Sequence, residues 1–145
     1  MEEKNTAKTI GKELPISTKQ SVEICNFIRH KTTEQSKRVL EEVLQLKTAV
    51  PYKRYVKHIP HRKGKIATGR YPVKAVQYVL DLIKNVEANA KNQGLETPLV
   101  IDEVIANKGT RGWHHGRIRR IKNKRTHIKI VVRESKQAGE KKDKK

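Results

Sequence analysis

The feature of the sequence that most restricts its fold is a segment with one sign of charge, residues 104–133. It holds ten lysines and arginines and no aspartate or glutamate. A largely apolar run, residues 99–106, leads into it. On its far side, polar and apolar residues alternate, as in Ile128, Lys129 and Ile130. A period of two is typical of a half-buried strand, so both sides of the segment are predicted to be extended.

Three glycines separate the two runs at the point where the chain must reverse: Gly109, Gly112 and Gly116. The pattern predicts a β-hairpin arm over residues 99–134. Like charges on so narrow an element repel one another unless a polyanion neutralises them, and a phosphate backbone is the commonest biological polyanion. We therefore expect the arm to thread into nucleic acid. Its candidate binding residues are Arg111, Trp113, His114, His115, Arg117, Arg119, Arg120, Lys122, Lys124, Arg125 and His127.

The whole chain shares this bias. Its 34 lysines and arginines against 15 acids give a formal net charge of +19 on 145 residues. The acids are also segregated, since residues 43–80 contain none either. Two acid-free segments predict two contact surfaces for nucleic acid. The alternative is that both are solvated basic loops.

The second acid-free segment contains a long basic connection, residues 50–71. It combines prolines, glycines and cations, and it is too long for a simple turn, so we expect it to be irregular and ordered by its ligand. Its tyrosines can stack on bases while the cations bind phosphates. Tyr52 and Tyr71 could equally pack on the body, whereas RNA is favoured for Tyr55. The candidate binding residues here, with one just beyond, are Lys53, Arg54, Tyr55, Lys57, His58, His61, Arg62, Lys63, Lys65, Arg70 and Lys74.

Three helices are predicted around this connection. Ser17 and Thr32 each open a segment with the spacing of a capping box, followed by apolar residues at helical spacing. These segments predict helices near residues 18–30 and after residue 32. A third helix, residues 72–94, has proline at its first turn and glycine at its end.

The remaining composition argues for a small cytoplasmic protein. The chain has no run of about 18 apolar residues and no apolar signal region, so we expect neither a membrane partner nor export. Its one cysteine, Cys25, lies in an apolar periodic stretch and is expected to be a core residue. No homo-oligomer is expected.

Enzymatic and metal-binding alternatives find little support in the sequence. His114 and His115 could suggest a nuclease, but adjacent side chains project differently and no nearby carboxylate orients them. His58 and His61 could bind zinc, yet no cysteine or nearby acid completes a site. No glycine-rich phosphate loop is present. We therefore expect no catalytic residues, no metal and no cofactor.

Several segments, taken in order, follow the pattern of one protein family. They include Leu14-Pro15-Ile16-Ser17, Ser21-Val22-Glu23-Ile24-Cys25, Val50-Pro51-Tyr52-Lys53-Arg54-Tyr55, Gly69-Arg70-Tyr71-Pro72-Val73-Lys74-Ala75, Asn85-Val86-Glu87-Ala88-Asn89-Ala90, Gly116-Arg117 and Thr126-His127-Ile128. In these segments the chain resembles the large-subunit ribosomal protein that is number twenty-two in bacteria and number seventeen in eukaryotes. The resemblance is collinear from about Lys8 to Glu134, and the basic connection resembles the archaeal and eukaryotic branch.

This resemblance implies an α+β fold in which three helices pack on a small three-stranded antiparallel sheet, with the β-hairpin arm extending from it. The first strand would be the short segment Glu13-Leu14-Pro15-Ile16 at a sheet edge. The family implies a structural and assembly role in the large ribosomal subunit. Its partners would be large-subunit rRNA, neighbouring ribosomal proteins and the nascent polypeptide, since the arm lines the exit tunnel.

The turn of the arm departs from the family pattern because it looks several residues short. Contacts of the outermost family tip are therefore not carried over to this chain, whereas the resemblance implies that Gly116-Arg117 is an arm position against rRNA. Trp113 lies among glycine, histidine and arginine, where it could stack on RNA or on its own hairpin.

The sequence therefore predicts one ribosomal-protein domain, residues 10–135, that binds rRNA through the arm and the basic connection. Residues 1–9 are expected to be an N-terminal extension, and residues 136–145 a disordered basic tail. The alternatives of another class are a free-standing RNA chaperone or DNA-compacting protein, and a basic nuclease.

Overall fold

The computed structural model describes residues 6–64 and 66–135, so the predicted tail and Lys65 lie outside the described residues. Within that part of the chain there are three α-helices and five strands. In order they are β1 (Thr6–Leu14), α1 (Thr18–Ile28), α2 (Thr33–Leu44), β2 (Val50–Pro51), β3 (Gly69–Arg70), α3 (Val73–Asn92), β4 (Leu99–Lys108) and β5 (Thr126–Glu134). The predicted α+β class is confirmed, as are the three helices and the three-stranded antiparallel sheet.

Strand β5 is the centre of the larger sheet, whose order is β1-β5-β4. Both neighbours run antiparallel to it, with Thr6 opposite Arg133 on one side and Leu99 opposite Glu134 on the other. The alternation predicted for this segment is confirmed, because Ile128, Ile130 and Val132 are completely buried while the residues between them are not.

Strand β1 differs from the expectation. It lies at the sheet edge, as predicted, but the expected segment 13–16 was wrong, because β1 covers Thr6–Leu14 and ends before Pro15. Residues 6–9, assigned to an N-terminal extension, therefore belong to the sheet. The strand was missed because its core-facing positions include Ala7 and Gly11, while its one isoleucine, Ile10, is 52% exposed.

The predicted helix-end signals hold at Thr32 and Gly94, whereas Pro72 is the N-cap residue of α3 and lies just before its first turn. The Thr32 side chain accepts a hydrogen bond from the Gln35 N–H at 3.2 Å. Gly94 adopts φ +74° after α3, and the N–H of Leu95 donates to the Ala90 carbonyl at 3.0 Å, which is the pattern of a Schellman motif. Ser17 occupies the N-cap position of α1, but the capping-box prediction was wrong there, since its side chain makes no cap hydrogen bond.

One core lies between the helices and the larger sheet. It includes Ile24 and Ile28 of α1, Leu40 of α2 and Ile83 of α3, all completely buried. Cys25 is buried as expected, and burial raises the pKa of its thiol to about 12, so the group stays protonated. Within the described ranges, no helix is both long and apolar enough to span a bilayer.

The two N-caps give a matched test of this helix chemistry. We expect Thr32→Ala to lower the free energy of unfolding by about 1 kcal/mol, because it removes the acceptor for the Gln35 N–H. Ser17→Ala should change it by less than about 0.5 kcal/mol, because that side chain caps nothing. Urea unfolding of the wild type and the two variants measures both changes in the free energy of unfolding. Equal losses would contradict the assignment of Thr32 as the functioning cap.

Candidate nucleic-acid interface

The arm consists of a regular base and an irregular end. The β4–β5 ladder stops where Lys108 faces Thr126. Residues 109–125, hereafter the arm tip, continue as a loose hairpin that reverses at the short 3-10 turn Gly116–Ile118. The predicted hairpin is thus confirmed in its limbs, while its far end has separate backbone hydrogen bonds instead of a regular ladder, such as the Asn123 N–H to the Gly112 carbonyl at 2.8 Å. Extended strands would hold its like charges close together without any apolar layer to stabilise them.

Cations dominate the surface of this part of the arm. Six lysine and arginine side chains of the arm tip are exposed: Arg111, Arg117, Arg119, Arg120, Lys122 and Lys124. None of them forms an ion pair with any acid of the described chain. Ile118 and Ile121 are also more than half exposed, at 51% and 57%. These six cations therefore have no acidic partner among the described residues, and much of both isoleucine side chains faces solvent.

Trp113 lies on the irregular hairpin, opposite Lys122 in an isolated bridge. The Lys122 ammonium is 4.3 Å from the centre of the indole ring, which is cation–π geometry. The side chain is nevertheless 55% exposed and borders an open cleft with Arg119 and Arg120. Contact with its own hairpin thus leaves much of the ring available to a ligand. Of the two neighbouring histidines, His114 is half-buried and His115 is exposed.

The base of the arm is tied to β1 through one acid. Glu13, at φ +53° beside an irregularity of the β1–β5 pairing, donates its N–H to His127 Nδ1 at 3.1 Å. His127 Nε2 lies 3.3 Å from the Glu13 carboxylate, and Arg125 Nε lies 3.9 Å from it. Both ring nitrogens of His127 therefore face the protein. Of the predicted arm residues, His127 and Arg125 are the two already engaged by an acid.

The basic connection is more ordered by the protein than we predicted. Its two ends pair as the small sheet of β2 and β3, and Arg62 N–H donates to the Ala67 carbonyl at 2.9 Å. Tyr52 N–H donates to the Thr68 carbonyl at 3.0 Å, and Thr68 Oγ1 returns a hydrogen bond to the Tyr52 carbonyl at 2.7 Å. The expectation of a wholly irregular segment was therefore wrong at its base, because short pairing satisfies its backbone groups.

A buried acid, Glu23 of α1, holds the first turn of the connection. It is 1% exposed, and its carboxylate accepts hydrogen bonds from the backbone N–H groups of Lys53, Arg54 and Tyr55. Sequence reasoning missed this role. The available signal was an acid directly before Ile24 and Cys25, on the apolar side of a helix.

The tyrosines divide between core and surface. Tyr52 is 5% exposed and belongs to the core, and burial raises the pKa of its hydroxyl, with the Glu23 carboxylate acting in the same direction. Tyr71 packs partly against the core, with the Arg62 guanidinium 5.3 Å from its ring centre. Tyr55 is half-buried, with the Arg54 guanidinium at 5.4 Å. The packing alternative therefore holds for Tyr52.

Most other predicted residues of the connection point to solvent. Exposed side chains are Lys53, Arg54, Lys57, His58, His61, Arg62, Lys63 and Lys74, while Arg70 is half-buried. In the part of the chain that the structure describes, no group of three histidines, cysteines or acids could hold a metal ion. Nor does any hydrogen bond or ion pair between described residues join the connection to the arm tip.

The sequence matches the family described as ribosomal protein L22p/L17e over residues 9–133. The chain belongs to this family. It is similar to the large ribosomal subunit protein uL22 of Archaeoglobus fulgidus, with 47% identity over 74% of this chain and 72% of that protein. It is also similar to the uL22 proteins of Nanoarchaeum equitans, at 41% identity over 91% and 80%, and Methanosphaera stadtmanae, at 44% identity over 89% of each.

These similarities confirm the predicted family and its archaeal type. A ribosomal protein of this family is a structural component, and the chain is not an enzyme. The prediction that no catalytic pair resides in His114 and His115 agrees with that assignment. The individual rRNA-binding residues remain predictions at this point.

A pair of glycines tests how tightly the arm base is packed. A Cβ on Gly109 would lie 3.1 Å from Arg125 Cβ, 3.1 Å from Glu13 Oε1 and 3.2 Å from His127 Nε2, whereas one on Gly112 would meet nothing within 4 Å. We expect Gly109→Ala to destabilise the protein by about 1 kcal/mol through overpacking, and Gly112→Ala to leave it within about 0.5 kcal/mol. Thermal unfolding and amide exchange at residues 126–128 report the difference. Faster exchange in the Gly112 variant alone would contradict the packing at Gly109.

Proposed function

We propose that this protein is a constituent of the large ribosomal subunit in the cytoplasm, where it binds large-subunit rRNA through the arm tip and the basic connection. The observation that carries the proposal is the arm tip, on which six exposed cations have no acidic partner among the described residues. An rRNA backbone supplies phosphates at close spacing, and binding them releases condensed counterions. The names of the archaeal relatives support the same cellular setting.

The arm tip combines the two kinds of group that RNA recognition uses. Guanidinium groups such as those of Arg119 and Arg120 bind phosphates in a planar, bidentate way. The indole of Trp113 offers an aromatic face for stacking, with Lys122 already on the ring. Adjacent aromatic and cationic groups would let one short loop bind both the backbone and an unstacked base.

The basic connection offers the second surface. Lys53, Arg54, Arg62 and Lys63 are exposed and lie in a segment free of acids. The Arg54 and Arg62 guanidiniums sit beside Tyr55 and Tyr71, so these cations are partly oriented before RNA arrives. Two separate basic surfaces on one small body fit a role in joining rRNA segments during assembly.

We further propose that the arm lines the polypeptide exit tunnel and that the nascent polypeptide and neighbouring ribosomal proteins are partners. Trp113 lies nine positions after Val104, which is about 30 Å at roughly 3.3 Å per residue if fully extended. That reach suffices to cross a layer of rRNA. Because the turn is short, we place Arg111, Trp113 and His114 at the tunnel wall, with Arg117 and its neighbours on phosphates behind them and a wider lumen opposite. The protein is expected to act as a single copy.

Co-sedimentation separates this function from that of a free-standing RNA chaperone. A ribosomal constituent should remain with large subunits in a high-salt wash, whereas a chaperone held mainly by charge should dissociate. A map of the ribosome from the source organism then tests the position of the arm. Release of the protein into the high-salt supernatant, together with an unoccupied place in the map, would reject the ribosomal assignment.

Neutralising the connection should reduce both RNA affinity and its dependence on salt. The variant replaces Lys53, Arg54, Arg62 and Lys63 with glutamine, which leaves the core intact. We expect the slope of log K against log salt to shrink by roughly 0.7 to 0.9 for each phosphate that the variant no longer binds. The control is Arg38→Gln, an 84% exposed guanidinium on the acidic helix α2, which should leave the slope unchanged. A slope unaffected by the quadruple change would show that the connection does not bind phosphate.

Removing the indole should weaken binding without changing the salt slope. We expect Trp113→Ala to lower the affinity for rRNA by about 1 to 3 kcal/mol, which is the usual value of one stacked base. Trp113→Phe keeps an aromatic face and should recover part of the loss. Filter binding over a salt series measures both quantities. Equal affinities for the alanine variant and the wild type would mean that the ring stacks only on its own hairpin.

A further inference from the structure

Glu23 is the one acid among the described residues that is almost completely removed from solvent. Its Oε2 accepts the Lys53 N–H at 3.1 Å, and its Oε1 accepts the N–H groups of Arg54 and Tyr55 at 2.9 and 2.6 Å. Three successive backbone donors thus converge on a single carboxylate, although 30 to 32 residues of chain separate them from it.

Burying a carboxylate is unfavourable unless hydrogen bonds replace its hydration. The three N–H groups meet that need, and the charge strengthens each of these bonds. The converse also holds, since the carboxylate fixes the orientation of three consecutive peptide units. Such an arrangement of N–H groups forms a concave anion-binding turn, and here its anion comes from the protein itself.

The chain is also fixed on both sides of this turn. Tyr52, directly before it, is buried in the core and paired through its backbone with Thr68. Val56, directly after it, adopts φ +55°, which turns the chain away. The side chains of Lys53 and Arg54 are exposed, so the backbone is held from within while both cations face solvent.

We propose that Glu23 is a positioning residue for RNA binding, which holds the backbone of residues 53–55 so that Lys53, Arg54 and Tyr55 are presented to RNA in a preformed arrangement. The inference rests on the proposed function of the basic connection. Glu23 itself touches no RNA, because it is buried beneath the turn. Ordering these residues in advance removes an entropic cost that binding would otherwise carry.

The wild-type protein provides the first test, which needs neither a variant nor RNA. We expect the amides of residues 53–55 to exchange slowly in the free full-length protein, while those of residues 57–63 exchange fast, since the latter are mostly exposed and few of their N–H groups are bonded. Addition of an archaeal large-subunit rRNA transcript should slow amide exchange in the arm tip but change it little at residues 53–55. Exchange at 53–55 as fast as at 57–63 in the free protein overturns the proposal.

The second test uses Glu23→Gln. This change removes the negative charge and replaces one accepting oxygen with an NH2 group, which cannot accept a hydrogen bond from the backbone N–H groups. We expect faster exchange at residues 53–55 and roughly tenfold weaker binding of the same transcript. The salt slope should stay constant, because Lys53 and Arg54 remain able to reach phosphates. An unchanged affinity with faster exchange would overturn the role in positioning, and so would a reduced slope.

Glu87→Gln is the matched control, since Glu87 pairs with Lys37 on the helical surface between α2 and α3. Both substitutions raise the net charge by one, so a purely electrostatic effect would tighten RNA binding equally in both variants. We expect only Glu23→Gln to weaken it. Equal affinities in the two variants overturn the proposal. If the wild type does not bind the transcript at all, the proposed function fails, whereas the exchange pattern in the free protein still reports on Glu23.

Discussion

Pairing of β5 on both of its edges is the constraint on which the rest of the structure depends. The strand joins β1 to β4, and its inward residues Ile128, Ile130 and Val132 fill the middle of the core. Its first residue, Thr126, is completely buried and donates its hydroxyl to the Ile16 carbonyl at 2.9 Å. Because the returning limb of the arm is this same strand, the direction in which the arm leaves the body is set by core packing.

The acidic and basic side chains near the two basic surfaces have different roles in the structure. Two acids near the basic surfaces bind groups of the protein itself: the exposed Glu13 ties the base of the arm to β1, and the buried Glu23 holds the start of the connection. Neither lies among the exposed cations of the arm tip, which pair with no acid of the described residues. The acids therefore shape the basic surfaces without neutralising their outermost parts.

The sequence predicted those elements in which apolar residues recur at a regular spacing. The hairpin limbs and α3 were predicted because apolar residues recur at strand or helix spacing, and Gly94 ended the helix as expected. The prediction misplaced strand β1 because this strand lacks a regular alternation of apolar and polar residues. Pairing with β5 and close packing at its small residues keep it in the sheet. Such tertiary support leaves no periodic signal in the strand itself.

The same distinction applies to the candidate site. Charge segregation located both basic surfaces, and the exposed lysines and arginines follow from composition alone. The packing of Tyr52 and the function of Glu23 could not be read in this way, because each depends on contacts between residues far apart in sequence. An acid on the apolar face of a helix is visible in the sequence. Its partners are not, because they are backbone N–H groups, which nearly every residue possesses.

The β1–β5 pairing also has a consequence for the order in which the protein can fold. Thr6 lies opposite Arg133, so the sheet is closed by residues from nearly opposite ends of the described chain. During synthesis, β1 emerges long before its only partner strand within the described residues, and it cannot be incorporated until β5 has left the ribosome. Contacts of such large sequence separation slow folding because they require closure of a long loop. The β1–β5 pairing therefore forms late, after the whole basic connection has been synthesised.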